Sequence, residues 1–302
     1  MSAANNKTSL MTDNSTELLA DFHVHSTFSD GTCTPTQDVA LAASKGLRAM
    51  ALTDHDTLEG IDEALTAGKT YGIEVIPGIE FSCAYEGIDI HVVGLDVPHD
   101  DDFFSSFVRR SKKARYDRNL QMIDMMAADG IDISADQMIE EFGDQMWTRS
   151  HFARHLIKKG VVSEVSEAFH GYIGNNDKYF VPRVSANPVN VVELIRESGA
   201  IPVLAHPFQY KMETDALLSM IRLLKEHGLL AVEAYYSTHT PQQTDEVLRF
   251  TSELDLCVSG GSDFHGKNKP LIDLGTGMGN LKVPYRLIEE MREKAKTPFT
   301  KG

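Results

Sequence analysis

The chain alternates short apolar runs with longer amphipathic stretches. Residues 18–25, 47–53, 74–82 and 89–95 are compact, mostly apolar runs that predict strands. Residues 36–45 and about 58–71 read as helices, stopped by Gly46 and Gly72 in the way helices commonly end. The turn Tyr85-Glu86-Gly87 divides the third strand from the fourth. The rhythm resumes with helices at 189–198, 215–227 and 241–254, and strands at 201–205, 229–235 and 256–259. Gly199 and Gly228 are further stops, and Pro241 opens its helix where a missing N–H costs nothing. Seven strands alternating with helices at this pitch predict a mostly parallel sheet.

Between the fourth strand and residue 185 the rhythm breaks. Residues 102–128, 134–142, 150–159 and 163–172 all read as helical, and Arg109, Arg110, Lys112, Lys113 and Arg115 crowd the first of these stretches. The chain is therefore divided into a polar, disordered tail (1–17), a barrel domain (18–103 and 186–302) and an inserted helical, substrate-binding subdomain (104–185).

Composition narrows the function. The 302 residues, 42% hydrophobic, can bury a sizeable core. The net charge of −15 is uneven: residues 104–185 net +1 and the remainder −16. A long duplex groove would want a basic stripe, so long duplex nucleic acid is not an expected partner. No run approaches the ~20 apolar residues of a membrane span, and the start lacks a signal-peptide core. The expectation is a cytoplasmic protein without a membrane partner. Cys33, Cys83 and Cys257, without CxxC spacing, fit a reducing compartment rather than a disulfide framework or thiolate zinc site.

The chemistry gathers at strand ends. His23 and His25 alternate along the first strand, so both imidazoles can face one ion. Asp30 follows in the next loop, His55 ends the second strand and Glu80 the third. His91 lies in the fourth, His206 ends the fifth, and Asp263 and His265 follow the last. Strand ends on one side of a parallel β/α barrel are where active sites are built. These six histidines and three carboxylates form an N/O ligand set without thiolates, suited to two or three divalent ions of Mn, Fe or Zn. Such ions generate hydroxide from bound water near neutral pH. The leaving-group proton could come from His206 or from a metal-bound water. Asp54 and Asp56 could orient ligand imidazoles, Asp56 equally well capping the helix after it. His99, His170 and His227 read as loop or surface residues.

The segments DFHVHSTFSDG, ALTDHDTLEG, PGIEFS, IHVVGL, LAHP and GGSDFHG resemble, in order, those of the PHP (polymerase and histidinol phosphatase) family of metal-dependent phosphoesterases. The resemblance covers residues 20–103 and 186–275. It implies a distorted seven-stranded, TIM-like β/α barrel and a phosphoric ester hydrolase, with Glu80, His206 and Asp263 central to catalysis. By the same resemblance His23, His25, Glu80 and Asp263 hold a first metal, Glu80, His91 and His206 a second, and Asp30, His55 and His265 a third. All nine positions carry competent ligands.

Within the insertion, Thr148 or Ser150 caps a helix beginning near Arg149, and a helix N-terminus with an arginine suits an anion. The segments TRSHFARHL and KYFVPR resemble a PHP subgroup that removes the 3′-phosphate of 3′,5′-bisphosphonucleotides or trims short RNA from a 5′-phosphate end. That resemblance implies that Arg149, Ser150, His151, Lys178 and Arg183 hold the substrate's non-reacting phosphate. Tyr235 and Tyr236 could stack on a base, with core packing the competing role. Three alternatives remain at this point: a small-metabolite phosphatase of the histidinol-phosphate type, a non-catalytic metal-binding module, and an amidohydrolase, for which no strand-end lysine is evident.

Overall fold

The computed structural model describes residues 17–143, 147–174, 177–181 and 186–299. Residues 1–16 of the expected tail, and Arg183, lie outside the described residues. Strands β1 (Leu19–Val24), β2 (Ala49–Leu52), β3 (Glu74–Tyr85), β4 (Ile88–Leu95), β5 (Ile201–Leu204), β6 (Ala231–Tyr236), β7 (Cys257–Gly261) and β8 (Val283–Pro284) form one sheet. Its order is β7-β6-β5-β4-β3-β2-β1-β8. In chain order the helices are α1 (Pro35–Ser44), α2 (Ile61–Tyr71), α3 (Asp102–Ala128), α4 (Ala135–Phe142), α5 (Arg149–Lys158), α6 (Val165–Phe169), α7 (Pro188–Glu197), α8 (Thr214–Glu226), α9 (Pro241–Glu253) and α10 (Arg286–Ala295).

Local chemistry sets most of these boundaries. Thr34 and Gln37 form a reciprocal capping box around Pro35, and Thr240 and Gln243 repeat it around Pro241. Gly72 closes α2 in the left-handed conformation. No described helix is long and apolar enough to cross a membrane.

The distorted barrel forms, with two departures from expectation. The described residues form eight strands rather than seven, because the two-residue β8 pairs antiparallel with the start of β1. The sheet is also less parallel than the strand–helix rhythm suggests. β4 runs antiparallel to both β3 and β5. The cause is the turn between β3 and β4, where Glu86 (φ 50°) and Gly87 (φ 81°) both adopt positive φ. A two-residue loop of that kind closes a hairpin and cannot make a parallel crossover. This reversal matters for the site. It puts the start of β4, with His91 opposite Ser82, at the end where the parallel strands finish.

The two edges of the sheet meet near the site. Val24 bridges to Phe264, Asp263 N–H donates to His23 O (2.9 Å) and His25 N–H to Phe264 O (3.0 Å). Gly261 permits this approach: a Cβ there would stand 2.3 Å from the His23 Cβ. Buried Asp21 ties the same seam, its Oδ1 accepting from His23 N–H (3.2 Å) and Ser262 N–H (2.8 Å). Ala20, Phe22, Ala49, Ala51, Ile76, Val93, Leu95, Ile201 and Val203 form one buried cluster with Leu287, Ile288 and Met291 of α10. Arg292 of α10 binds Asp96, after β4, and Glu74, at the start of β3, so α10 lies at the end opposite the site.

Helices α3 to α6 have a separate apolar core that includes Met122, Met126, Trp147, Phe152 and Leu156. Two buried polar contacts fasten them to the barrel. Arg115 Nε donates to Asp56 Oδ2 (2.9 Å) and its Nη2 to Ser82 Oγ (2.5 Å). Asp56 also accepts from Ser82 N–H (3.1 Å), so the desolvated pair is multiply hydrogen-bonded. Thr148 Oγ1 donates to Asp30 Oδ2 (2.9 Å).

Candidate metal centre

The strand ends bring all nine expected ligand residues into one cluster. Glu80 is its hub. Its Oε1 stands 2.8 Å from His91 Nδ1 and 3.0 Å from His206 Nε2. Its Oε2 stands 3.0 Å from His55 Nδ1, 3.2 Å from His25 Nε2 and 3.4 Å from His23 Nε2. Asp263 Oδ1 lies 3.3 Å from both His25 Nε2 and His265 Nδ1. On the far side His265 Nε2 lies 3.1 Å from Asp30 Oδ1.

Four groups have ligand atoms within 4.8 Å of one another: His25, Asp30, His55 and His265; His23, Glu80 and His206; His23, His25 and Asp263; and His55, Glu80 and His91. Glu80 joins two of them, as a shared ligand would. The expected division among ions is close to this grouping but not identical, since His206 groups with His23 and His91 with His55.

These residues fit metal ions on a structural test. Nε2 of His23 and of His25, Nδ1 of His55 and of His206, Oε2 of Glu80 and Oδ1 of Asp30 are buried without a hydrogen-bond partner among the described residues. Five of these atoms, all but His206 Nδ1, point into the cluster, since His206 faces Glu80 through Nε2. Together they cost several kcal/mol unless something satisfies them, and a divalent cation would satisfy N and O ligand atoms together. The electrostatics agree. Burial works against the Glu80 carboxylate, yet His91, His55 and His23 hold it well below the usual carboxylate range. Burial likewise disfavours the charged His25 imidazole, but Asp263 and Glu80 raise it to about 9. A cation taking that place displaces the proton and keeps the attraction.

Some of the backbone strain lies here. His206 (φ 24°), Asp56 (φ 50°) and Asp263 (φ 58°) adopt positive φ without being glycine. Oriented neighbours hold the ligands in place. Glu233, in the middle of β6, binds His23 Nδ1 through Oε1 (3.1 Å) and the His206 backbone N–H through Oε2 (2.7 Å). A carboxylate on Nδ1 fixes the proton there and turns the Nε2 lone pair toward the cluster. Asp54 reaches His25 through Ser29, whose Oγ donates to it (2.5 Å) and lies 3.4 Å from His25 Nδ1. Asp56 serves Arg115 and Ser82 instead, and Gly60 is the residue that precedes α2. Glu233→Gln is expected to fold and to lose metal affinity by about 10–100-fold, the usual cost of such an orienting partner. Calorimetric metal titration alongside a thermal melt checks it, and unchanged affinity would remove Glu233 from this role.

Two adjoining cavities open over the cluster. One, of about 370 Å³, is lined by His55, Glu80, His91, His206, Asp263, Tyr236, Lys269, Gln209 and Phe169. The other, of about 550 Å³, shares His91, His206, Gln209 and Phe169, and adds Arg149, Lys211, Tyr210, Asp89 and His170 among its walls.

The residues expected to bind phosphate are dispersed around this space. Arg149 opens α5 on the wall of the larger cavity, 2.7 Å from Asp89 and with its guanidinium 5.5 Å from the Phe169 ring. Ser150 is half-buried on the same turn. His151 is buried, its Nδ1 accepting from Thr148 N–H (3.0 Å). Burial, which the nearby Asp30 charge opposes and Arg154 and Arg115 reinforce, lowers it to about 4 and keeps it neutral. It therefore completes the cap of α5, with Thr148 as the N-cap residue, and lines neither cavity. Lys178 is exposed, with Nζ 2.7 Å from Asp129, and also lines neither. Tyr235 packs against the barrel core, whereas Tyr236 donates its hydroxyl to Asp263 Oδ2 (2.7 Å).

The family model described as the PHP domain matches residues 21–187. The chain belongs to the PHP domain family. A 5′-3′ exoribonuclease of Haemophilus influenzae is 36% identical to this PHP chain over 261 residues, 84% of this chain and 95% of that protein. A 3′,5′-nucleoside bisphosphate phosphatase of Chromobacterium violaceum is 30% identical, covering 84% of this chain and 90% of its own. Among solved structures, a Bifidobacterium adolescentis chain assigned to the metal-dependent phosphoesterases superposes with a TM-score of 0.79 at 28% identity, covering 90% of this chain and 94% of that one.

Sequence reasoning on this PHP chain missed Glu233, Lys269, Gln209 and Phe169. Glu233 did carry a signal, being a lone acid inside the apolar strand AVEAYY. Lys269 follows a short turn and Gln209 lies in the one-turn 3-10 helix Pro207–Tyr210, both too short to show a periodicity.

Proposed function

We propose that this PHP protein is a metal-dependent phosphoesterase of nucleotides, acting on 3′,5′-bisphosphonucleotides or short 5′-phosphorylated RNA. The observation that carries the reading is the pair of adjoining cavities: one over the ligand cluster, the other walled by Arg149, Lys211 and the Phe169 ring. A substrate with one phosphate at the cluster, a planar base and a second anionic group fits that division. The names of the relatives support it from outside the structure.

In this reading His23, His25, Asp30, His55, Glu80, His91, His206, Asp263 and His265 hold two or three ions of Mn, Fe or Zn. Bound there, the ions would lower the pKa of water and offset charge on the phosphoryl oxygens. Glu80 supplies the negative charge between cation positions, and Glu233 and Tyr236 keep His23, His206 and Asp263 in register. Arg149, at the N-terminus of α5, grips the non-reacting phosphate, with Ser150 beside it; Arg183 is assigned the same task. His151 builds the helix start that presents Arg149, and Lys178 acts by charge from outside the cavity wall.

The test is phosphate release by Mn²⁺-loaded protein from nucleoside monophosphates, 3′,5′-bisphosphates, short 5′-phosphorylated oligoribonucleotides and sugar phosphates. The bisphosphates or oligoribonucleotides should give the highest kcat/KM. A preference for sugar or amino-alcohol phosphates would overturn the reading in favour of a small-metabolite phosphatase.

A further inference from the structure

We infer that Lys269 is a substrate-binding residue of this site, its ammonium contacting the oxygens of the phosphoryl group being cleaved. The inference rests on the phosphoesterase reading above, but not on the nucleotide preference.

Three observations carry it. Lys269 is the only lysine or arginine among the described residues lining the cavity over Glu80, His206 and Asp263. Its Nζ stands 2.5 Å from Asp263 Oδ2, an oxygen also bound by the Tyr236 hydroxyl at 2.7 Å. Asp263 is thereby split: Oδ1 faces the histidines and Oδ2 is held from outside by two donors. One carboxylate oxygen occupies one of three ammonium hydrogens, and the side chain, which lines the cavity, is still 36% exposed.

If the lysine served only to orient Asp263, the neutral Tyr236 hydroxyl would duplicate it. A full positive charge at the mouth of a cleft is explained by what enters. Phosphoryl transfer spreads negative charge over the equatorial oxygens, and a fixed cation aimed at them lowers the barrier. Loops place it well: β7 delivers Asp263 and His265, and the short turn Gly266–Asn268 returns the chain so that Lys269 faces Asp263 six residues on.

The experiment compares Lys269→Met, Lys269→Arg and Tyr236→Phe, all loaded with Mn²⁺, on p-nitrophenyl phosphate with inorganic phosphate as inhibitor. Metal content of each is measured by elemental analysis. Lys269→Met should keep its metal, weaken phosphate inhibition by at least about tenfold (the scale of one charge-assisted contact) and raise KM. Lys269→Arg should restore part of both, and Tyr236→Phe, which removes a donor to Asp263 but no charge, should weaken phosphate inhibition much less than Lys269→Met. Equal losses in Lys269→Met and Tyr236→Phe, or a metal loss large enough to explain the change, would overturn the inference and reduce Lys269 to holding Asp263. Wild-type protein that neither hydrolyses the ester nor binds phosphate would contradict the phosphoesterase reading itself.

Discussion

Glu80→Gln should lower kcat by at least ~10³-fold while leaving the fold standing, the scale of removing one strong electrostatic stabiliser. Its two oxygens meet five imidazoles, so no other residue substitutes for it. The amide keeps the shape but loses the charge that allows two cations to sit close together. The folded state has reason to survive, because the amide fills the same volume and can still accept and donate hydrogen bonds to the surrounding ring nitrogens. Single-turnover kinetics with a thermal melt and metal analysis check this. Near-normal turnover with full metal occupancy would contradict the assigned role.

Arg149→Ala should discriminate between substrates. On a 3′,5′-bisphosphonucleotide the loss of a desolvated Arg–phosphate contact is worth roughly 2–5 kcal/mol, or ~30- to several-thousand-fold in kcat/KM. On p-nitrophenyl phosphate, which puts nothing beside Arg149, the loss should be under about tenfold. The Asp89 partner sharpens the comparison. Truncating the arginine removes its 2.7 Å contact with Asp89 on the same cavity wall, so the Asp89 charge would weigh more heavily against an incoming phosphate. Asp89→Asn with Arg149→Ala should therefore recover part of the lost kcat/KM. Equal losses on the two substrates would return Arg149 to a structural role.

The nine clustered residues were legible because metal chemistry restricts residue type and strand geometry restricts spacing. His23 and His25 alternate on β1, and Asp263 and His265 alternate past β7, so each pair reads locally. The helices read well where caps are covalently simple, as at Thr34-Pro35 and Thr240-Pro241. What remained hidden depends on long-range pairing. β8 has two residues and no period, and its pairing with β1 spans most of the chain. Helix α10 was absent from the sequence reading although Leu287, Ile288 and Met291 share its buried face. The antiparallel β4 was signalled by its two-residue turn, and the parallel expectation overrode it. The surroundings of the residues expected to hold a second phosphate were the least legible. An exposed cation such as Lys178 and a buried cap such as His151 look alike in sequence, and burial alone separates them.

The central claim is that Glu80 and the eight residues gathered around it form a multinuclear metal centre. Anomalous scattering from crystals of protein grown with Mn²⁺, Fe²⁺ or Zn²⁺, read with elemental analysis of the same preparation, tests it most directly. Two or three anomalous peaks should fall inside the cluster, with one pair flanking the Glu80 carboxylate. An active preparation with no peak near His23, His25 and Glu80 would contradict it.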